Sequence, residues 1–127
     1  MDNTDLAKEW FKIAETDLSS AEFLQNMQPA PLEIICYHCQ QSAEKYLKGF
    51  LALKGEEIKR THDLILLNKE CRKYDEDFET IEEDCLMLTD YSIKVRYPFP
   101  MDITEADTKI AIKSAHKIKN YVLVKTN

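Results

Sequence analysis

Apolar residues recur every three or four positions over most of the chain. Between Thr4 and Met27 the series Leu6, Trp10, Ile13, Ala14, Leu18, Ala21 and Leu24 keeps the α-helical period. The spacing predicts a first helix there, with Thr4 or Asn3 as its N-cap. Pro29 and Pro31 in "NMQPAP" end it, because the residue before a proline avoids helical backbone. A second helix is predicted from Leu32 to Lys54, with Gly55 at its C-cap. "GEEIKRT" links it to a third, "HDLILLNKECRKY", which Thr61 would cap with Leu64 as the third residue. A fourth helix is expected from Asp77 to Val95, stopped by Tyr97-Pro98-Phe99-Pro100. Thr104 suits the N-cap of a fifth, Glu105 to Val124, and Glu105 and Asp107 suit its positive end. "YVLV" has strand composition but continues the period of Ile110, Ala111, Ala115, Ile118 and Val122. The sum is an all-α, antiparallel up-and-down bundle of four to five helices, one domain over residues 1–127.

Composition agrees with that pattern. Two glycines and four prolines in 127 residues leave few breakers, as long helices require. A chain of this length buries about two-thirds of its unfolded surface, so stability needs no covalent staple. The net charge of −6 removes any basic coat for tracking a nucleic-acid backbone, while leaving room for a local basic pocket. No stretch reaches the roughly 18 apolar residues of a membrane span. "MDNTDLAKEW" lacks the basic start and apolar core of a signal peptide. A cytoplasmic location is therefore expected, with the four cysteines as reduced thiols.

"CYHC", Cys36 to Cys39, has the letters of a metal site. At about 100° per residue, Leu32, Cys36, Cys39, Ala43, Tyr46, Leu47 and Phe50 share one sector of the second helix. His38, Gln41, Lys45 and Lys48 fall on the other side, so His38 points away from both cysteines. Zinc also wants four ligands, and Cys71 and Cys85 are isolated singles. No metal and no cofactor are expected, and Cys36 and Cys39 read as core thiols. The polar stripe has two readings. It is a solvated face with a Glu44–Lys48 ion pair, or it is a groove for an anionic ligand.

Three motifs then occur in order: "HCQQSAEKYLKGFLALKG", "THDLILL" and "YSIKVRYP". The chain thereby resembles the HEPN family (higher eukaryotes and prokaryotes nucleotide-binding domain), in its stand-alone prokaryotic branch. The matching residues are Gln40 or Gln41 with Glu44 and Lys45, then Thr61-His62-Asp63-Leu64, then Arg96-Tyr97-Pro98. The resemblance spans nearly the whole chain. It implies a four- or five-helix bundle, often a homodimer, associated with a small nucleotidyltransferase. Many members act in toxin–antitoxin pairs, and others are metal-independent RNases. The RNase motif of the family is Arg, four to six residues, then His. After Arg96 those positions are Met101, Asp102 and Ile103; at the same spacing Arg72 places Asp77, Phe78 and Glu79, and Arg60 places Ile65, Leu66 and Leu67. The catalytic pair is missing.

The remaining polar residues keep two readings each. Arg96 caps the end of the fourth helix and pairs with Asp90 or Asp102, or its planar fork binds phosphate. Asp63 caps the third helix with His62 ordered beside it, or Thr61 and His62 meet a phosphate at that helix start. On the functional readings His38, Gln41, Lys45, Lys48, His62 and Arg96 line one groove. The lysines supply charge, Gln41 reads base or ribose, and Tyr91 or Tyr97 offers a stacking surface. Tyr91 and Tyr97 are also candidate acceptors of a modification by a nucleotidyltransferase. His116 has no obvious catalytic neighbour, and Trp10, Phe11, Phe23, Tyr46, Phe50 and Phe78 read as core or dimer seam. The leading expectation is a non-catalytic module that binds a nucleotide, a short RNA or a partner nucleotidyltransferase. The alternatives are an RNase toxin with a degenerate site built on Arg96 and His62, and a plain helical scaffold.

Overall fold

Asp2 opens the first helix. In the computed structural model, which describes residues 1–92 and 102–126, the Asp2 carboxylate accepts the Asp5 amide at 2.9 Å. Helix α1 runs Asn3–Leu24, so the expected caps Thr4 and Asn3 lie inside it. A carboxylate there both satisfies an orphan amide and meets the positive end of the helix dipole. The helix stops short of the expected Met27. Gln25, Asn26 and Met27 instead donate to Glu22, Phe23 and Leu24, closing tighter turns on the approach to Pro29.

Helix α2 runs Leu32–Leu53. Gly55 takes φ 82°, where a Cβ would be strained, and the chain reverses. The Gly55 amide donates to the Ala52 carbonyl and the Glu56 amide to that of Leu51, which satisfies two carbonyls at the helix end. Helix α3 is Leu64–Arg72, shorter than the sequence suggested. Its cap is Asp63, not Thr61; the Thr61 hydroxyl accepts the Asp63 amide instead.

The expected fourth helix is broken. Residues Glu76–Ile81 form a 3-10 turn, Glu82–Leu88 form α4, and Thr89–Tyr91 form a second 3-10 turn. Glu76, Glu79, Glu82 and Glu83 place like charges three and four apart, which an α-helix would stack on one another. The buried Asn68 amide also captures the Phe78 carbonyl at 2.9 Å. Helix α5, Glu105–Lys125, begins with a complete capping box between Thr104 and Asp107. Arg96 and Tyr97 lie outside the described residues.

The protein is an all-helical bundle around α2, which packs against α1, α3, α4 and α5. Its buried residues come from nearly the whole circumference: Cys39, Tyr46 and Phe50, then Leu47, Leu51 and Gln40, then Glu44 and Lys48. Ala7, Ala14 and Ala21 let α1 lie close, and the Ser42 hydroxyl donates to the Ala14 carbonyl at 2.8 Å. Gly49 faces Phe11 and Trp10, where a Cβ would come within 2.7 Å of Phe11 Cδ1 and 3.1 Å of Trp10 Cβ. Phe78 fills the far side, with ring centroids 4.5 Å from Phe50 and 5.0 Å from Tyr121.

Three apolar positions of the expected helical series turn outward: Leu6, Ile13 and Ile110 are 40%, 48% and 45% exposed. Of the aromatic residues read as core or dimer seam, Phe23 is 71% exposed, whereas Tyr46, Phe50 and Phe78 are buried in the core. Among the described residues no helix is long and apolar enough to cross a membrane.

Candidate functional site

Helix α2 turns an unusually polar edge toward α1 on one side and toward the start of α3 on the other. The polar stripe is not a solvated face. Asp17 of α1 accepts from two residues of α2: His38 Nδ1 lies 2.9 Å from Oδ1 and Lys45 Nζ lies 2.5 Å from Oδ2. One turn further along, Glu44 repeats the arrangement. His62 Nδ1 lies 2.8 Å from its Oε1 and Lys48 Nζ lies 3.0 Å from its Oε2. Each unit is a carboxylate held between a histidine and a lysine.

Gln41 sits between the two units. Its amide donates to Gln40 Oε1 at 2.7 Å, and the Gln40 amide donates to the His62 carbonyl at 3.0 Å and to Glu44 at 3.3 Å. This chain of bonds fixes the Thr61–Asp63 turn against α2. Burial makes the second unit consequential. Glu44 and Lys48 are only 4% and 6% exposed, and the Lys48 ammonium lies 5.8 Å from the centre of the Trp10 ring. Such charges persist in a core only when paired. The predicted Glu44–Lys48 ion pair therefore exists, but inside the bundle instead of on its surface.

The geometry assigns proton positions. An ionised carboxylate only accepts, so Nδ1 of His38 and of His62 carries the proton. Nε2 of each ring is left for another partner, with the His62 side chain 44% and the His38 side chain 27% exposed. The lysine charges, by contrast, are already spent on Asp17 and Glu44. Lys45 and Lys48 lie where the groove reading wants them, but neither offers a free cation.

Helix α3 offers no free anion site at its start. The Asp63 carboxylate takes the Ile65 and Leu66 amides, and the Thr89 hydroxyl takes that of Leu64. A phosphate at this helix start would meet Asp63 instead of open N–H groups. Tyr91 is half-buried and its hydroxyl engages Cys36; burial first, then that neighbour, pushes its pKa up to about 12. Tyr97 lies outside the described residues, as does Arg96.

Elsewhere the titratable groups are structural. Burial pushes the thiols of Cys39, Cys71 and Cys85 up, that of Cys85 to about 12, and all four cysteines are buried and outside any disulfide. The described residues contain no group of three or more His, Cys, Asp or Glu able to hold a metal ion. His116 is half-exposed and meets Glu22 at 3.4 Å. Glu15 accepts from Tyr46 at 2.8 Å and from Lys119 at 2.6 Å. Burial alone would raise its pKa, but these donors outweigh it and hold it below the usual carboxylate range.

Asp17 was not singled out from the sequence. It lies at the border of the apolar face of α1, among Ala14, Leu18 and Ala21, and that position was the available signal. Glu44 was visible as part of a motif, but its burial was not.

The model of the HEPN domain matches residues 7–125. The chain belongs to the HEPN family. A HEPN homologue from an archaeon, ST0689, is 28% identical over 95% of this chain and 98% of its own, with a TM-score of 0.74. TT1696 from Thermus thermophilus is 25% identical over 94% of this chain and 97% of its own, with a TM-score of 0.79. No curated protein matches this HEPN chain.

Proposed function

We propose that this HEPN protein is a non-catalytic binding module whose ligand residues are His38 and Gln41 of α2 and His62 of the connection before α3. Two His–carboxylate–Lys units, one on each side of Gln41, carry the reading. In each unit a carboxylate holds the histidine ring by Nδ1, with the His62 side chain 44% and the His38 side chain 27% exposed, and rigid polar groups bind at lower entropic cost than mobile ones. Lys45 and Lys48 act as positioning residues that keep Asp17 and Glu44 ionised partners. Family membership supports a nucleotide or a short RNA end as ligand, and a small nucleotidyltransferase as protein partner, with the pair serving as a toxin–antitoxin couple. A homodimer accounts for the outward Leu6, Ile13 and Ile34, which are 40%, 48% and 46% exposed on α1 and α2.

An NMR titration with adenosine monophosphate and with a short RNA tests the ligand. Perturbations confined to His38, Gln41 and His62 are expected. Perturbations confined to α5, or none at millimolar ligand, would remove the nucleotide reading. Co-purification with the nucleotidyltransferase from the native cells tests the partner reading separately.

A second reading, a metal-independent RNase with a degenerate site, is favoured by one observation. His62 has a buried Glu44 behind Nδ1 and an open Nε2, the arrangement of an oriented acid–base group. Metal-free cutting of a generic RNA, lost in His62→Gln, would support it.

A further inference from the structure

We infer that the outer face of α1 is a two-fold seam against α1 of a second copy of this chain, the two helices antiparallel and crossing at Ser20. This rests on the homodimer reading above and gives it an interface and a register. The core face of α1 is built from Ala7, Ala14, Leu18 and Ala21. At about 100° per residue, Leu6, Glu9, Ile13, Thr16, Ser20, Phe23 and, in the tight turns after the helix, Met27 form a row on the opposite side. Their spacing alternates three and four, which is the pattern of a seam between helices and not of a solvated face. The large apolar members are open: Leu6 is 40%, Ile13 48%, Phe23 71% and Met27 50% exposed. Ile34, one turn before His38 on α2, is 46% exposed and widens the apolar rim.

The same face carries a knob and a socket. Thr16, Ser19 and Ser20 line a shallow hollow of about 510 Å³ together with Phe23 and, from α2, His38. Their hydroxyls are spent within the helix. Thr16 donates to the Lys12 carbonyl at 3.1 Å, Ser20 to the Thr16 carbonyl at 2.8 Å, and Ser19 to the Glu15 carboxylate at 3.5 Å. Groups already satisfied in this way lose little when an apolar side chain covers them. Phe23 is such a side chain, and it leaves most of its surface in water.

Spacing selects a second copy as the occupant. A two-fold interface sets residue i against j and j against i. Reflected through Ser20, Ile13 and Met27 are each seven residues away and meet. Phe23 lies three residues to one side and Thr16 four to the other, about 4.5 and 6 Å along the helix, so each Phe23 ring covers Thr16 of the other copy. Ser20 meets Ser20, small enough for the axes to approach to about 8–10 Å. Glu9, the one ionisable residue of the row, falls at opposite ends of the pair, whereas parallel helices would set Glu9 against Glu9. An unrelated helix would need only to be apolar; knobs and sockets that match under reflection serve a self-pairing surface. The face is about 33 Å long at the helical rise over the 22 residues of α1. One helix pair of that length, widened by Ile34, sits near the lower bound of specific interfaces, about 1,200 Å² in total, and so gives a reversible dimer of roughly micromolar affinity.

The experiment is sedimentation velocity of the full-length protein from about 1 to about 300 μM, joined to thiol crosslinking. A monomer–dimer equilibrium is expected. Phe23→Glu and Ile13→Glu should each weaken it at least about thirtyfold, as loss of a central anchor does. Their circular dichroism should match the parent, because both side chains are open. All four native cysteines are buried, so an added surface thiol is the reactive one. Under diamide, Ser20→Cys should close a disulfide between copies, since two thiols at the axis lie within bonding reach. Glu9→Cys should not, with about 33 Å between its two copies. Crosslinking of Glu9→Cys but not of Ser20→Cys overturns the antiparallel register. A dimer that survives both glutamate variants overturns this interface and leaves the homodimer standing. A monomer at the highest concentration overturns both, and if Phe23→Glu then abolishes co-purification with the nucleotidyltransferase, the face belongs to that partner.

Discussion

Glu44→Ala removes the group on which the second unit depends, and its cost follows from burial. The Lys48 side chain is 8% and the Glu44 side chain 5% exposed, with 3.0 Å between the charges. Deleting the carboxylate leaves an ammonium in the core with Trp10 as its remaining neighbour, and it strips the acceptor from His62 and Gln40. Breaking a buried pair from one side costs about 3–5 kcal/mol. That is a large part of the roughly 5–15 kcal/mol that holds a domain of this size together. Urea unfolding followed by Trp10 fluorescence and by circular dichroism should show the midpoint falling by about 2 M, for a slope of roughly 1–3 kcal/mol per M. Lys48→Met separates charge burial from lost volume. It removes the ammonium and keeps the stem, so it should cost less than Glu44→Ala. The double variant Glu44→Gln, Lys48→Met should recover most of the loss. The reasoning is refuted if Glu44→Ala lies within about 0.5 kcal/mol of the parent, the range of an ordinary surface change. Such a result would mean that Lys48 reaches water and that the pair is superficial in solution.

Gly49→Ala should destabilise the protein by up to about 2 kcal/mol. The crowding of Phe11 and Trp10 opposes the roughly 1 kcal/mol that alanine gains in a helix, and a neutral result in thermal unfolding would mean that the Phe11 ring swings aside. The four thiols should be silent to a disulfide reagent in the folded protein and react together on unfolding; one fast thiol would contradict the burial of all four and the raised pKa of Cys39, Cys71 and Cys85. Acid should expose the Glu15 contribution. Its folded pKa lies below the unfolded one, so its stabilisation is present above the unfolded carboxylate value and is lost as pH falls through the folded value. Glu15→Gln should therefore flatten the loss of stability between about pH 5 and pH 3, and a parent-like acid profile would reject this assignment.

Periodicity along the chain determined much of this protein. The span of α2, the capping box at Thr104 and the glycine reversal at Gly55 rest on local rules that the letters carry, and the structure contains all three. The ordered motifs also placed the chain in its family. Local rules failed where neighbours three and four residues apart repel, as in the acidic run that splits the fourth helix. They failed again at Leu6, Ile13 and Ile110, because a helical period says that apolar residues share faces but not which face meets the core. Tertiary structure alone decided the character of the α2 edge. On a helical wheel His38, Gln41, Lys45 and Lys48 look like solvent-facing polar residues. In the bundle, α1 brings Asp17 onto one end of the stripe, and the Thr61–Asp63 turn brings His62 onto Glu44 at the other. Those partners are 18 to 28 residues away in sequence, so no local pattern announces them. Low dielectric then turns a stripe of charges into two closed units, whose exposed chemistry is that of the histidines.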